Sequence, residues 1–176
     1  VGYGQIIGMN FENSKFLADQ TAATVALHRR KEGKHLVAGD TEQSLGEPQE
    51  EFWGMAVGRL SDWRGDNVGY NTYDVLGGVM AGVQKRIRPQ SLAGFSLAYA
   101  GSSPTISQNM GSGPMQNLQL MGYGSYNLDD GLFVQGTLGG GGGSINASRN
   151  LSMMNTSYNA QIQTANLAGS VLAGWG

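Results

Sequence analysis

Two hydrophobic patterns divide the chain near residue 50. Between about residues 11 and 34, apolar side chains recur every three to five positions, which is typical of an α-helix. We therefore predict a helix over about 13–34, with Asn13 or Ser14 as its N-cap and Gly33 near its end. The basic cluster 28–31 would lie at the helix C-terminus, where cations offset the macrodipole. The apolar positions are Phe16, Leu17, Ala22, Ala23, Ala26 and Leu27.

From residue 52 onward the period becomes two. In the second of these segments, for example, Tyr73, Val75 and Val79 alternate with Asp74 and Gly78. Such alternation predicts β-strands with one apolar face. In the first segment we assign the apolar face to Trp53, Met55 and Val57. Six segments of roughly ten residues follow the pattern: 52–60, 72–87, 92–102, 116–126, 132–141 and 161–175.

The second face of these strands carries mostly small and neutral polar residues instead of the charges that a water-facing sheet normally shows. Transmembrane barrels have apolar-out, polar-in strands of this length. The connections also alternate between long and short, as barrels with external loops and periplasmic turns do. We predict long external loops at 61–71, 103–115 and 142–159, and short turns at 88–91 and 127–131.

This topology predicts where interfacial aromatic residues should lie, because such residues gather at both membrane surfaces. Trp53, Tyr126 and Trp175 stand at the periplasmic strand ends, and Tyr73 and Tyr99 stand toward the external side. We therefore predict all five as membrane-interface aromatics.

The composition narrows the function classes. Charged residues make up 14% of the chain, whereas globular proteins average about 25%. Gly is abundant and occurs 29 times. The net charge of −2 gives no electrostatic case for nucleic acid as a partner. Cys is absent, which excludes thiolate metal sites, and no G-x-S-x-G serine-hydrolase motif occurs. We predict no enzyme activity, no metal and no cofactor.

Several segments resemble the autotransporter β-domain. Residues 118–126 (LQLMGYGSY), a short turn and residues 132–136 (LFVQG) are similar to one hairpin of that family. Residues 70–83 followed by 92–99 are similar to another, and 52–58 (FWGMAVG) resembles its first strand. The resemblance covers about residues 52–176.

The resemblance implies a mainly β, antiparallel transmembrane β-barrel of twelve strands with an α-helix threading its lumen. Residues 1–51 would be the linker helix and its connection to a secreted passenger, and 52–176 the N-terminal half of the barrel domain. The implied function is an outer-membrane translocator and anchor of a Gram-negative bacterium, which exports and displays an N-terminal passenger at the cell surface. Its implied partners are outer-membrane lipid, the passenger and the barrel-assembly machinery. Contacts between helix and lumen would involve Arg29, Arg30, Asp74, Gln84, Asn117, Gln119 and Asn166.

Two alternatives stay open on the sequence. One is a different outer-membrane barrel, such as a small porin or an adhesin, although the helix before the first strand disfavours it. The other is a soluble, Gly-rich β-sandwich with an adhesive role. Six strands are fewer than the eight of the smallest single-chain membrane barrels, so we expect further strands beyond residue 176.

Overall fold

A long helix precedes the sheet. The computed structural model describes residues 2–37, 50–63, 71–106, 111–128, 131–151 and 156–175. Helix α1 spans Gly2–Val37 and is therefore longer at both ends than predicted. The prediction of Asn13 or Ser14 as N-cap is wrong, because both lie inside the helix. There the Ser14 hydroxyl donates to the Asn10 carbonyl oxygen at 3.0 Å, which satisfies the side chain without ending the helix.

Six long strands and two very short ones form one antiparallel sheet within the described residues. Neighbouring long strands follow one another along the chain, and the short pair bridges the second and seventh strands at one end of the sheet. In chain order the strands are β1 (Glu50–Trp63), β2 (Thr72–Arg88), β3 (Ser91–Ser102), β4 (Thr105–Ile106), β5 (Gly111–Ser112), β6 (Met115–Asn127), β7 (Leu132–Leu151) and β8 (Thr156–Trp175).

The predicted sequence of six long antiparallel strands after one helix is confirmed. The order of the long strands in the sheet is β1-β2-β3-β6-β7-β8. Among the described residues no pairing joins β1 to β8, so closure of the sheet into a barrel stays a prediction.

The external loop predicted at 142–159 is wrong. β7 and β8 are twenty residues long and pair without interruption from Leu132↔Trp175 to Leu151↔Thr156. The polar residues of this stretch suggested a loop, but the apolar side chains between them alternate as a strand requires. Ile145 and Ala147 are buried with Met9 of the helix and Met115 of β6.

The other two predicted loops also begin or end within strands. β1 continues to Trp63, and 64–70 lie outside the described residues. The segment 103–115 contains β4 and β5, which pair with each other, and ends on the first residue of β6. The turn predicted at 88–91 joins β2 to β3.

The sheet has one face against α1 and one face turned away from it. On the outward face, large apolar side chains are exposed, among them Phe95, Leu120 and Val171. On the inward face, the helix and sheet bury three apolar clusters, around Met9, Leu17 and Val25. The assignment of Trp53, Met55 and Val57 to an outward apolar face is wrong, because all three pack against these inner clusters.

Candidate functional site: the interface between helix and sheet

The face that α1 turns to the sheet is mostly polar. Its buried residues recur every three or four positions, as one face of a helix does. Ala23 and Leu27, which we predicted from their spacing as part of the apolar face, are exposed instead. The packing partner explains this choice, since a polar sheet face offers small polar side chains the hydrogen bonds they need. The buried set is Met9, Asn10, Asn13, Ser14, Leu17, Thr21, Thr24 and Val25.

Amide and hydroxyl groups connect the N-terminal part of the helix to two strands. The Asn117 amide nitrogen of β6 donates to Asn10 Oδ1 at 2.8 Å and to Ser14 Oγ at 3.1 Å. From β8, Asn166 donates to the same Ser14 hydroxyl, while Thr164 Oγ1 accepts from the Asn10 amide at 2.7 Å. Two helix residues one turn apart are therefore held by β6 and β8 together.

Glycine in β7 makes room for this close approach. Between Asn117 and Thr164 the intervening strand carries Gly143, where an added Cβ would lie 2.4 Å from the Gln116 carbonyl oxygen. The same atom would come within 3.2 Å of the Thr164 hydroxyl. The run of glycines at 139–143 thus lies within a strand beneath the helix.

Arg59 of β1 forms the next layer. One guanidinium nitrogen donates to Asn13 Oδ1, and another lies 3.9 Å from the Glu12 carboxylate. The guanidinium carbon is 5.4 Å from the ring centre of Phe16, within cation–π range. Asn13 in turn donates to Ser102 Oγ of β3 at 3.0 Å. Arg59 therefore binds the helix by charge, hydrogen bond and ring contact together.

Asp74 of β2 is buried beside this layer, with a side chain that is 1% exposed. Asn13, Ser102 and Arg59 are close enough to act on its charge. Neither carboxylate oxygen, however, accepts a hydrogen bond of normal geometry from the described residues. Burying a carboxylate is costly, and the Asn13 and Ser102 side chains offset more of that cost than the charge of Arg59 does.

The middle of the helix is held by one apolar contact and several single hydrogen bonds. Leu17 is fully buried in a cluster with residues of β1, β2 and β3. Thr21 shares a hydrogen bond of 3.3 Å with Ser96, and Gln135 donates to the Ala22 carbonyl oxygen at 2.8 Å. The helix therefore contacts all six long strands, which requires the sheet to curve around it.

Near the C-terminal part of the helix, Trp53 starts a chain of hydrogen bonds. Its indole nitrogen donates to the Tyr123 hydroxyl at 2.8 Å, and that hydroxyl donates to Gln84 Oε1 at 3.3 Å. Gln84 completes the chain by donating to the Glu51 carboxylate at 2.7 Å. The prediction that Trp53 is a membrane-interface aromatic is therefore wrong, because its ring packs on the inner face with Val25.

The other predicted site residues fall in four groups. Asn117 and Asn166 bond to the helix, and Asp74, Gln84 and Gln119 are buried on the inner face without a hydrogen bond to it among those described. The side chains of Arg29 and Arg30 lie outside the described part of the chain. The predicted interface aromatics Tyr73, Tyr99, Tyr126 and Trp175 are exposed on the outward face.

Sequence reasoning missed the helix residues Asn10, Asn13 and Ser14 and the strand residues Arg59 and Tyr123. The signal for Arg59 was its position on the Trp53, Met55, Val57 side of β1, which we had assigned to lipid. A cation there is costly in lipid but suits a polar interior. Asn10 and Ser14 are one helical turn apart, a spacing that could have suggested a shared polar face.

Comparison with known proteins decides the family. The family model for the autotransporter β-domain matches residues 52–176. The chain belongs to the autotransporter β-domain family. The resemblance predicted from the sequence is confirmed, and membership supports an outer-membrane translocator domain of a type V secretion system.

A solved structure has the same fold. The translocator domain of autotransporter NalP from Neisseria meningitidis matches with a TM-score of 0.64 and 15% sequence identity. The match covers 90% of this chain and 53% of that chain, so this chain spans about half the length of the solved domain. No curated protein matches.

Translocator domains of this family are transport barrels and not enzymes. Within the parts of the chain that the structure describes, no three His, Cys, Asp or Glu side chains come together as metal ligands. No helix in those parts is both long and apolar enough to cross a membrane.

Proposed function

We propose that this chain anchors and exports an N-terminal passenger across the outer membrane, with α1 as the linker that follows the passenger through the lumen. The observation that carries this proposal is the polar interface between α1 and the inner face of the sheet. A helix that only filled an apolar core would not need Asn10, Asn13 and Ser14 on its buried side.

The division of the chain follows from this role. Residues 1–51 hold the linker helix and its connection, and residues 52–176 hold the first half of the barrel. The helix begins beside the β7–β8 hairpin, where Met9 contacts Ile145, and its later part reaches Val25 beside Leu92. It therefore runs from the end that we assign to the outside toward the end with the short turns.

The outward face supports a membrane setting. On β8, the outward residues from Trp175 to Ala165 are apolar or small, and Gln163 is the first polar residue after them. Ten residues at ~3.3 Å span ~33 Å along the strand, or about 25 Å at a tilt of ~40°. This height matches the apolar band of outer-membrane barrels.

Four exposed aromatics lie toward the two edges of this band. Tyr126 and Trp175 lie at the end with the short turns, and Tyr73 and Tyr99 lie toward the other end. We propose these four as interface residues. The implied partners are outer-membrane lipid, the passenger and the barrel-assembly machinery, and the implied location is the bacterial cell surface.

The test uses the full reading frame with a reporter at its N-terminus, expressed in a Gram-negative host. We expect protease added to intact cells to remove the reporter, and the barrel to show heat-modifiable migration in gels. Leu167→Arg would place a cation in the apolar band and should reduce insertion. Asn159→Arg, on the same face of β8 but outside the band, is the matched control. A reporter that stays protected in cells with an inserted barrel would overturn export while leaving the anchor role intact.

A further inference from the structure

A row of polar side chains crosses three strands at one edge of the apolar band. Gln116 of β6, Ser144 of β7 and Gln163 of β8 are paired in register, and their side chains share the outward face. The next outward row lies two positions closer to the short turns and consists of Leu118, Gly142 and Ala165. The polar and apolar rows thus meet along a line across the sheet.

A shallow groove lies on this line. Gly142 has no side chain, so the sheet surface is depressed between its neighbours, and the depression has a volume of about 380 Å³. Its apolar side is formed by Tyr99 and Leu118, whose side chains are 47% and 50% exposed. Its polar side is formed by Gln116, Ser144 and Gln163, and no charged residue lines it.

The chemistry of the two sides limits what can bind. Amide and hydroxyl groups can both donate and accept, which suits sugar hydroxyls and amide-linked substituents. Phosphate recognition usually involves Arg or Lys, and neither lines this groove. The apolar side continues directly into the lipid-facing band, where an acyl chain would remain in contact with Leu118.

We propose that this groove is a binding site for a glycolipid of the outer leaflet. Its sugar hydrogen-bonds to Gln116, Ser144 and Gln163, and its acyl chain lies over Gly142 against Leu118 and Tyr99. This inference rests on the proposed membrane setting, so insertion and glycolipid binding must be measured separately.

The experiment uses the full-length protein in phosphatidylcholine vesicles that contain a small fraction of an acylated glucosamine disaccharide, with and without its phosphate groups. After extraction in mild detergent, native mass spectrometry counts the glycolipid that remains bound. Parallel vesicles contain phosphatidylglycerol, which has acyl chains and a phosphate but no sugar. Heat-modifiable migration of each sample reports insertion.

Two kinds of variant separate the parts of the site. Gln163→Leu removes an amide from the polar side, and Gln161→Leu is its matched control one outward position farther along β8. Gly142→Leu fills the groove, and Gly136→Leu adds the same side chain on the same face of β7 in the middle of the band. At Gly136 an added Cβ meets only the Ser170 carbonyl oxygen at 3.9 Å.

We expect the acylated disaccharide to be retained with or without phosphate, and phosphatidylglycerol to be lost. Removing the amide should reduce retention about fivefold, because one hydrogen bond contributes about that factor. Gly142→Leu should abolish retention, and both controls should keep it. Two results in correctly inserted protein would overturn the proposal. One is equal glycolipid retention in Gln163→Leu and Gln161→Leu, and the other is retention only of the phosphorylated glycolipid.

Discussion

Trp53 and Tyr123 are seventy positions apart in the chain and are joined by a hydrogen bond of 2.8 Å inside the sheet. Their ring centres are 6.5 Å apart, and the Tyr123 hydroxyl in turn donates a hydrogen bond to Gln84 Oε1. The pair links β1 to β6 across β2 and β3, next to the position where the helix buries Val25. It therefore couples the first strand of the sheet to the helix.

This relationship gives the first prediction. Tyr123→Phe removes one hydroxyl and leaves the Trp53 indole nitrogen and Gln84 without their partner. We expect a loss of about 1–3 kcal/mol in the free energy of unfolding, which is the cost of unsatisfied buried polar groups. Denaturant unfolding in detergent measures it. Tyr126→Phe, on the outward face with a long hydrogen bond of 3.5 Å to Gln90, should have almost no effect.

A second prediction compares two buried amides on β6. Asn117→Leu removes the donor to Asn10 and Ser14, so it should destabilise the protein by about 1–3 kcal/mol and loosen the helix. Gln119 is equally buried, yet both of its polar atoms are without hydrogen-bond partners among the described residues. Gln119→Leu should therefore be neutral or stabilising.

Single-channel conductance of the full-length protein measures helix docking in these two variants. We expect Asn117→Leu to raise conductance, because a displaced helix leaves more of the lumen open. An increase of the same size in Gln119→Leu would show that the contacts to Asn10 and Ser14 do not hold the helix.

Gly82 provides a third prediction, because its missing side chain accommodates Trp53. An added Cβ would lie 2.5 Å from the indole ring, whereas at Gly77, on the outward face of the same strand, it would meet nothing within 4 Å. Gly82→Val should destabilise by about 1–3 kcal/mol through overpacking. Gly77→Val is the matched control and should be close to neutral. Thermal unfolding compares the stability of the two variants, and equal unfolding midpoints would contradict the structure.

A fourth prediction concerns Arg59 and Asp74. Arg59→Met removes the donor to Asn13 and a positive charge near the buried carboxylate, so we expect a loss of about 1–3 kcal/mol in the free energy of unfolding. In an Asp74→Asn background the same substitution should cost less, and a double-mutant cycle measures the difference. Lys85→Met breaks an exposed pair with Glu50 and should cost less than about 1 kcal/mol. Purely additive effects of the two inner substitutions would exclude the coupling.

The length of the β7–β8 hairpin gives a fifth prediction. The chain contains no Cys, so single cysteines can be introduced within it and labelled with a reagent that does not cross membranes. On intact cells Asn159→Cys should react, since it lies beyond the apolar band. Ala165→Cys, on the same face of β8 but inside the band, should not react. Labelling of both positions to the same extent would place the band edge elsewhere.

Strand positions could be predicted well because the period of two depends only on the covalent geometry of an extended chain. The six segments lie in the predicted order, and the apolar side of the alternation is the outward face in β2, β3, β6, β7 and β8. The assignment failed for β1, where Trp53, Met55 and Val57 are larger than the glycines and alanine that alternate with them. Size alone cannot tell a lipid-facing side chain from one that fills the space beside a helix.

The helix interface was harder to predict, for a different physical reason. Asn13 and Ser14 are strong N-cap residues in isolation, and only the polar partners on the sheet explain their place in mid-helix. The hydrogen bonds of Ser14 join it to Asn117 and Asn166, which are more than a hundred residues away. Such a network depends on tertiary structure and leaves no local pattern. The same is true of 142–159, where the burial of Ile145 depends on Met9.

The ladder of β7 and β8 continues without a break past the row of Gln116, Ser144 and Gln163. Beyond Ser144 each strand has seven more residues, which at ~3.3 Å each add ~23 Å to the hairpin. In the proposed orientation this is a stiff ribbon that stands clear of the lipid headgroups. An antibody or a phage arriving at the cell would meet there an amide-rich surface whose shape the pairing of these two strands sets.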